Sequence, residues 1–430
     1  MLKHVALMCT ASWALWAGPA LGQDIPTTDF KEAQRPLDVR ERLSVYYQPI
    51  GGRIGSFYLY PELEAAGNFT DNIRATEDDK ESDAWLDASA GVRLVRPDPV
   101  RRLQVQARID QRFHARKLHE DRTSLSASMS YREGPADGSN LQASASVARR
   151  FVERRDVNDV KEARSPIRFD FLSSDLGYTH RLNRLALQGA LSVRRLDYHD
   201  AQGRSGDIID QDRRDFTRVT VRAQGGYELS PPVMLLVRGA FSRYDYDFGE
   251  RSAGFDLARD SDRDSDLWRI EGGAGIAITG RLQGSATVGY SRRTFVSQPN
   301  PPRNSGGISF SSELLWLPNP ATSFRLEARS DFIESASPVI AGFRTAELEL
   351  TAQRSLSRAL LLVGDARLRR LNPIGGGESR TEYDVAGELT YFLTRRYRVF
   401  GGAGVAGRTG GPPDSGFSAA YLRAGILATF

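Results

Sequence analysis

Few groups in this chain are placed for covalent or metal chemistry. The densest carboxylate run is Asp260, Asp262, Asp264 and Asp266, and Glu271 falls where the last ligand of a calcium loop would stand. Such a loop needs a glycine at its sharp turn, and Ser265 occupies that position. No flanking helices are expected, so the run reads as a solvated loop. Gly402, Gly404 and Gly407 match the letters of a dinucleotide fingerprint. That fingerprint works only where a helix follows and presents its N-terminus to a pyrophosphate. Here Arg408–Gly416 is rich in Gly and Pro, and small residues facing a crowded neighbouring strand explain the spacing better. The only cysteine, Cys9, lies in the first apolar stretch, so the rest of the chain has no thiol nucleophile, thiolate ligand or disulfide. Past that stretch the histidines are His114, His119, His180 and His199, all in or near expected links. No serine–histidine–carboxylate grouping comes together. No catalytic residue, metal or cofactor is expected, and the chain is not read as an enzyme.

What remains is charge and polarity, and the elements that carry them. Among 430 residues, 58 are basic and 54 acidic, a net charge of +4. Arginine is scattered among acids instead of forming the concentrated basic face that nucleic acid requires. Mean hydropathy is −0.42. Past the first residues no apolar run is long enough to cross a bilayer as a helix, which excludes a helical membrane protein. The start itself has Lys3 and His4, an apolar Val5–Trp16, and small residues at Ala20 and Gly22. This is the pattern of a secretory signal peptide over residues 1–22, cleaved after Gly22; a buried core helix is the other reading.

After the start, one unit repeats. About ten residues alternate apolar with polar or small, and a turn or loop follows. Leu103, Val105, Ala107 and Ile109 interleave with Gln104, Gln106, Arg108 and Asp110. Val219, Val221 and Ala223 interleave with Thr220, Arg222 and Gln224. Period two means strands with one apolar and one polar face. A soluble sandwich would turn the apolar face inward, an outer-membrane barrel outward to lipid.

Three features favour the barrel. Stretches such as Ala84–Leu94 and Asp384–Leu393 have the length a tilted membrane strand needs. Links alternate long and short. The long ones are Thr70–Ser82, Arg149–Pro166, Asp197–Asp215, Tyr244–Asp266 and Gln298–Gly307. The short ones are Arg96–Val100, His180–Arg184, Leu229–Pro232, Thr279–Arg281 and Thr394–Tyr397. Finally, Leu422, Ala424, Ile426, Ala428 and Phe430 alternate up to a terminal aromatic, which resembles the end signal read by the outer-membrane insertion machinery. The expected fold is all-β: a transmembrane antiparallel up-and-down barrel over residues 53–430. It has about 18 strands, with 16 as the alternative count, short periplasmic turns and long extracellular loops. Gln23–Gly52, polar and carrying Pro26, Pro36 and Pro49, is read as a periplasmic extension that either folds back as a small plug, binds a periplasmic partner or serves as a flexible lead-in.

If the apolar phase meets lipid, the other phase lines the lumen. Its basic candidates are Arg93, Arg108, Arg222, Arg238, Arg325, Arg329, Arg367 and Arg423. Its acidic candidates are Asp87, Asp110, Glu271, Glu327, Asp365, Asp384 and Glu388. Neither sign dominates, so strong ion selectivity does not follow. Ser124, Ser126, Ser128 and Ser130 add uncharged hydrogen-bonding surface, suited to hydrated or neutral polar solutes; the plain alternative is that any water-filled lumen must be polar.

Tyr47-Gln48-Pro49-Ile50-Gly51-Gly52-Arg53-Ile54-Gly55-Ser56-Phe57, then Pro61, then Asp71-Asn72-Ile73, resembles a motif of the β-barrel porin 2 type family of bacterial outer-membrane barrels. Members often carry two acidic residues before that asparagine; here Thr70 replaces the first. Beyond the motif the resemblance extends only through the strand rhythm. It implies a cell outer-membrane location in a Gram-negative cell and association with exopolysaccharide secretion, and it assigns no binding residues. Three readings stay open: a passive export channel for an exopolysaccharide or capsular polysaccharide, a general diffusion porin for small hydrophilic solutes, and a non-transport barrel acting as adhesin or enzyme. The expected partners are outer-membrane lipid, the passing polar solute and a periplasmic export partner bound through residues 23–52.

Overall fold

The computed structural model describes residues 36–248, 262–296, 304–337 and 340–430. The expected signal peptide, the first part of the extension and Asp260 lie outside the described residues. Long strands run through the rest: β1 (Phe57–Thr70), β2 (Asp83–Arg96), β3 (Arg101–His114), β4 (Arg122–Glu133), β5 (Asn140–Phe151) and β6 (Arg168–Leu182). They continue as β7 (Leu185–Tyr198), β8 (Phe216–Ser230), β9 (Val233–Tyr246), β10 (Ser265–Thr279), β11 (Leu282–Phe295) and β12 (Ser305–Asn319). The last are β13 (Thr322–Ile333), β14 (Gly342–Ser355), β15 (Leu360–Ile374), β16 (Arg380–Phe392), β17 (Tyr397–Gly410) and β18 (Phe417–Thr429). Each pairs antiparallel with the next, and β18 returns to β1 from Glu62 opposite Thr429 to Thr70 opposite Tyr421. The sheet counts 19 strands, one of which is the short Gly52–Ile54 that doubles back on the start of β1; the other 18 close the barrel. Closure leaves no edge and satisfies the backbone groups of every strand, a condition any spanning structure in lipid must meet.

Alternation decides which face meets what. Along β1, Leu63, Ala65, Gly67 and Phe69 are exposed, while Glu64, Ala66, Asn68 and Thr70 are buried. The exposed face is the apolar one: Leu63 is 53% accessible, Val237 63% and Ile270 66%. A soluble protein would not leave such a continuous band in water, so the band is the lipid-facing surface. Exposed aromatics mark its two borders, Phe69, Phe113, Trp268 and Tyr290 at one end and Tyr178, Tyr227, Trp316 and Tyr397 at the other.

The two ends differ as expected. At one end Asn183–Arg184, Pro231–Pro232, Gly280–Arg281 and Pro320–Ala321 make two-residue turns. Asn183 adopts φ +50, a left-handed conformation that asparagine tolerates better than most residues. At the other end the links are long: 71–82, 115–121, 152–167 and 199–215. By the rule for such barrels the turn end faces the periplasm and the loop end the exterior. Phe430 lies at the turn end, its amide donating to Pro61 O at 2.9 Å, so both barrel termini are periplasmic. Glu271, the last ligand of the imagined calcium loop, is buried within β10. The glycine run lies on β17, where a Cβ on Gly404 would sit 2.4 Å from the Tyr421 ring and one on Gly407 2.4 Å from the Tyr383 hydroxyl.

Candidate transport lumen

The ladder registers carry one inward phase around the whole barrel. Starting from inward Glu64, they pass through Ser89, Asp110 and Ser124, and the same parity continues to Glu388, Gly402 and Arg423. On this phase lie Arg93, Arg108, Arg222, Arg238, Arg325, Arg329 and Arg367, and also Asp87, Asp110, Glu271, Glu327, Asp384 and Glu388.

Most of these side chains belong to networks. Arg108 donates to Glu62 at 3.0 Å, Glu64 at 3.2 Å and Asp110 at 2.6 Å, and Glu64 also accepts from Arg423. Asp87 accepts from Arg112 at 2.7 Å, Asn68 at 3.1 Å and Trp85 at 3.2 Å. Arg93 stacks 4.4 Å over Tyr60. Glu271 accepts from Thr287 at 2.8 Å and from Ser309, and Arg238 reaches the same Thr287 at 3.4 Å. Arg329 donates to Glu347; Asp384 accepts from Tyr421 at 2.8 Å and Glu388 from Thr390 at 2.9 Å. Arg367 stands between Glu349 and Asp384 in register, and Arg222 between Ala190 and Ala240.

An 18-stranded barrel is too wide to be filled by its wall side chains alone. Two of the chain's own segments reach into it. At the loop end, residues 152–167 fold inward from β5 and β6 and cross to the far wall. Asn158 donates to Glu334 O at 3.1 Å and accepts from Ala336 N at 2.9 Å, beyond the end of β13. Arg155 donates to Thr70 at 3.2 Å and stacks 4.8 Å over Tyr421, while its carbonyl accepts from Arg408 at 2.6 Å. Lys161 donates to the carbonyls of Arg74 and Ala75, both at 2.9 Å. Arg154 is buried against Glu120 at 2.9 Å and Asp159 at 3.2 Å. Val152, Ala163 and Ile167 pack on an aromatic floor that includes Phe169, Tyr198, Phe216 and Tyr244. Burial pushes the Lys161 ammonium down to about 8, against the opposing pull of Asp159. Glu153 is pushed up by burial, yet Arg122 and Arg112 outweigh that and hold it below the usual carboxylate range.

At the turn end, helix α1 (Val39–Tyr46) lies against the inner wall of β13–β16. Its start is a reciprocal capping box, with Asp38 accepting from Glu41 N and Glu41 accepting from Asp38 N, each at 2.8 Å. Asp38 also pairs with Arg325 at 3.0 Å, and Arg40 N donates to Gln353 at 2.9 Å. Val39 packs on Leu361, Val363 and Phe392, and Tyr47 stacks on Phe392 at 4.8 Å. The Asp38-x-x-Glu41 spacing was a legible helix-start signal that a reading centred on strand periodicity passed over. Nothing in local sequence marked 152–167 as inward, because its hydrogen-bond partners lie as far as 253 positions away.

The fold and this polar interior define a transmembrane β-barrel of the outer-membrane class. The family model described as Putative beta-barrel porin 2 matches residues 45–430, and the chain belongs to that family. No curated protein matches the chain. Among solved structures it is similar to the ferric enterobactin receptor PfeA of Pseudomonas aeruginosa, a mutant, at 8% identity over 86% of this chain and 80% of that one, with a TM-score of 0.46. It is also similar to the FrpB iron transporter of Neisseria meningitidis, at 9% identity over 92% and 83% with a TM-score of 0.45. OpdO of Pseudomonas aeruginosa is 13% identical over 88% of this chain and 98% of that one, with a TM-score of 0.44.

Proposed function

We propose that this outer-membrane porin-family barrel is a passive export conduit for a secreted exopolysaccharide or capsular polysaccharide. The observation that carries this reading is a hydroxyl strip on the inward phase. Ser124, Ser126, Ser128 and Ser130 follow one another down β4, with Ser144 and Ser146 beside them on β5 and Ser173 on β6. Ser146 and Ser173 bond each other at 2.8 Å. Sugar hydroxyls can exchange with such a strip along its length without any one position holding them tightly, which conduction requires. Export through the inner membrane by the signal peptide over 1–22, residence in the outer membrane of a Gram-negative cell and engagement of a periplasmic partner through residues 23–52 belong to the same reading. So does the absence of catalysis. Deletion of the gene is expected to strip polysaccharide from the cell surface, measured by quantifying secreted and surface-bound glycan; unchanged secretion would sink the reading. The second reading, a general diffusion porin for small hydrophilic solutes, draws on the family itself.

A further inference from the structure

The charges of the inner wall are balanced in number but not in position. On the side formed by β3–β8, arginines face arginines directly across the ladder: Arg102 opposite Arg132, Arg112 opposite Arg122, and Arg194 opposite Arg218. On the other side the same happens with acids, where Glu313, Glu327 and Glu349 stand abreast on β12, β13 and β14. Like charges directly opposite each other cost stability, so an arrangement that repeats them with opposite sign on two walls needs a use.

One arginine pair is bridged by the chain itself. Glu153, from the inward loop, lies between Arg112 and Arg122, 2.6 Å from Arg122 and 3.7 Å from Arg112. A carboxylate is thus the bridging group such a pair takes, through short charge-assisted bonds. A second observation lies further down the same wall. Inward-facing Gln224, 6% exposed, has both its amide nitrogen and oxygen buried without a hydrogen-bond partner. It stands between Gln188 and Arg238 in register and two residues along β8 from Arg222. A buried amide left with both ends unsatisfied costs free energy that a polar ligand would recover.

We propose that the β3–β9 wall is an anion track, and that the glycan this barrel passes is an acidic one, whose carboxylate, sulfate or phosphate groups move past Arg222, Gln224 and Arg238. The hydroxyl strip beside the track takes the uncharged part of each sugar. The facing wall, where Glu313, Glu327, Glu347 and Glu349 outnumber Arg325 and Arg329, draws the same groups less. The inference rests on the polysaccharide reading and narrows it to one substrate class.

The test is binding of a galacturonate hexamer, maltohexaose and the galacturonate monomer to the full-length protein in lipid nanodiscs, by calorimetry at low and high salt. The hexamer is expected to bind and to weaken as salt rises, and maltohexaose to bind at least about tenfold more weakly. Arg222→Gln should weaken the hexamer about tenfold and Arg222→Lys much less. The salt dependence needs no variant, so a misfolded substitution leaves the test intact. Equal binding of hexamer and maltohexaose, insensitive to salt, would overturn the anion track and leave the conduit reading standing. Monomer binding as tight as the hexamer would overturn it in favour of a small-anion site. Failure to bind either oligosaccharide, with passage of small solutes into proteoliposomes, would remove the conduit reading itself.

Discussion

At the scale of the residue, some interior carboxylates, Glu64 and Glu382 among them, each serve two arginines. Glu64 is buried and joins Arg108 of β3 to Arg423 of β18 across the seam where the barrel closes. Removing one member of such a group leaves buried charge uncompensated, which costs far more than the pair itself contributes. Glu64→Ala is therefore expected to destabilise the barrel by about 3–5 kcal/mol, read from urea unfolding in lipid vesicles; a loss under about 1 kcal/mol would mean that water reaches both guanidinium groups. Asp215, at the loop end, shows the opposite balance. Burial, with Asp197 and Asp212 beside it, pushes its carboxyl up to about 7, and it accepts the Tyr198 amide at 2.6 Å. A folded-state value above the unfolded one means that the contribution to stability is complete below the unfolded value and is lost as pH rises through about 7. Local opening of 199–215 should therefore be easier at pH about 8 than at about 5, read as lower hydrogen-exchange protection of its own amides after correction for the intrinsic rate, and Asp215→Asn should remove the difference; pH-independent protection would contradict this.

At the scale of the element, the strands were legible, and of the two segments inside them only the start of α1 was. Period-two alternation in stretches such as Leu103–Asp110 contains the strand, its two faces and hence the phase of every residue on it, because side-chain direction in a strand is local. The fate of 152–167 depends on Thr70, Tyr421, Arg408 and Glu334, brought near only when the barrel closes. The seat of α1 is likewise set by Arg325 and Gln353, while its start was already spelled by the capping box. Asp38→Ala removes both the cap and the Arg325 pair, and loss of a cap alone costs about 1 kcal/mol. The helix should then leave the wall, seen as faster proteolysis near residues 36–47; unchanged cleavage would place its hold elsewhere, in Val39 and Tyr47. Asn158→Ala cuts both bonds that tie the loop tip to 334–336, and the loop should gain mobility, read from spin labels on the tip, with little change in barrel unfolding.

At the scale of the molecule, the inward charges could be named from alternation, but their uneven placement, with arginine pairs on one wall and a row of glutamates on the other, could not. Arg194 and Arg218 become neighbours only through the pairing of β7 with β8, and Glu313, Glu327 and Glu349 only through that of β12, β13 and β14. An even tally of signs along the chain therefore hid an uneven field across the lumen. The proposed conduit is narrowed at its outer mouth by 152–167 and at its inner mouth by α1. Single-channel conductance in planar bilayers tests that directly, comparing the full chain with a variant carrying both Asp38→Ala and Arg155→Ala. The account predicts a low conductance in the full chain that rises severalfold in the variant. Silence of both proteins, or a steady conductance identical in the two, would contradict it.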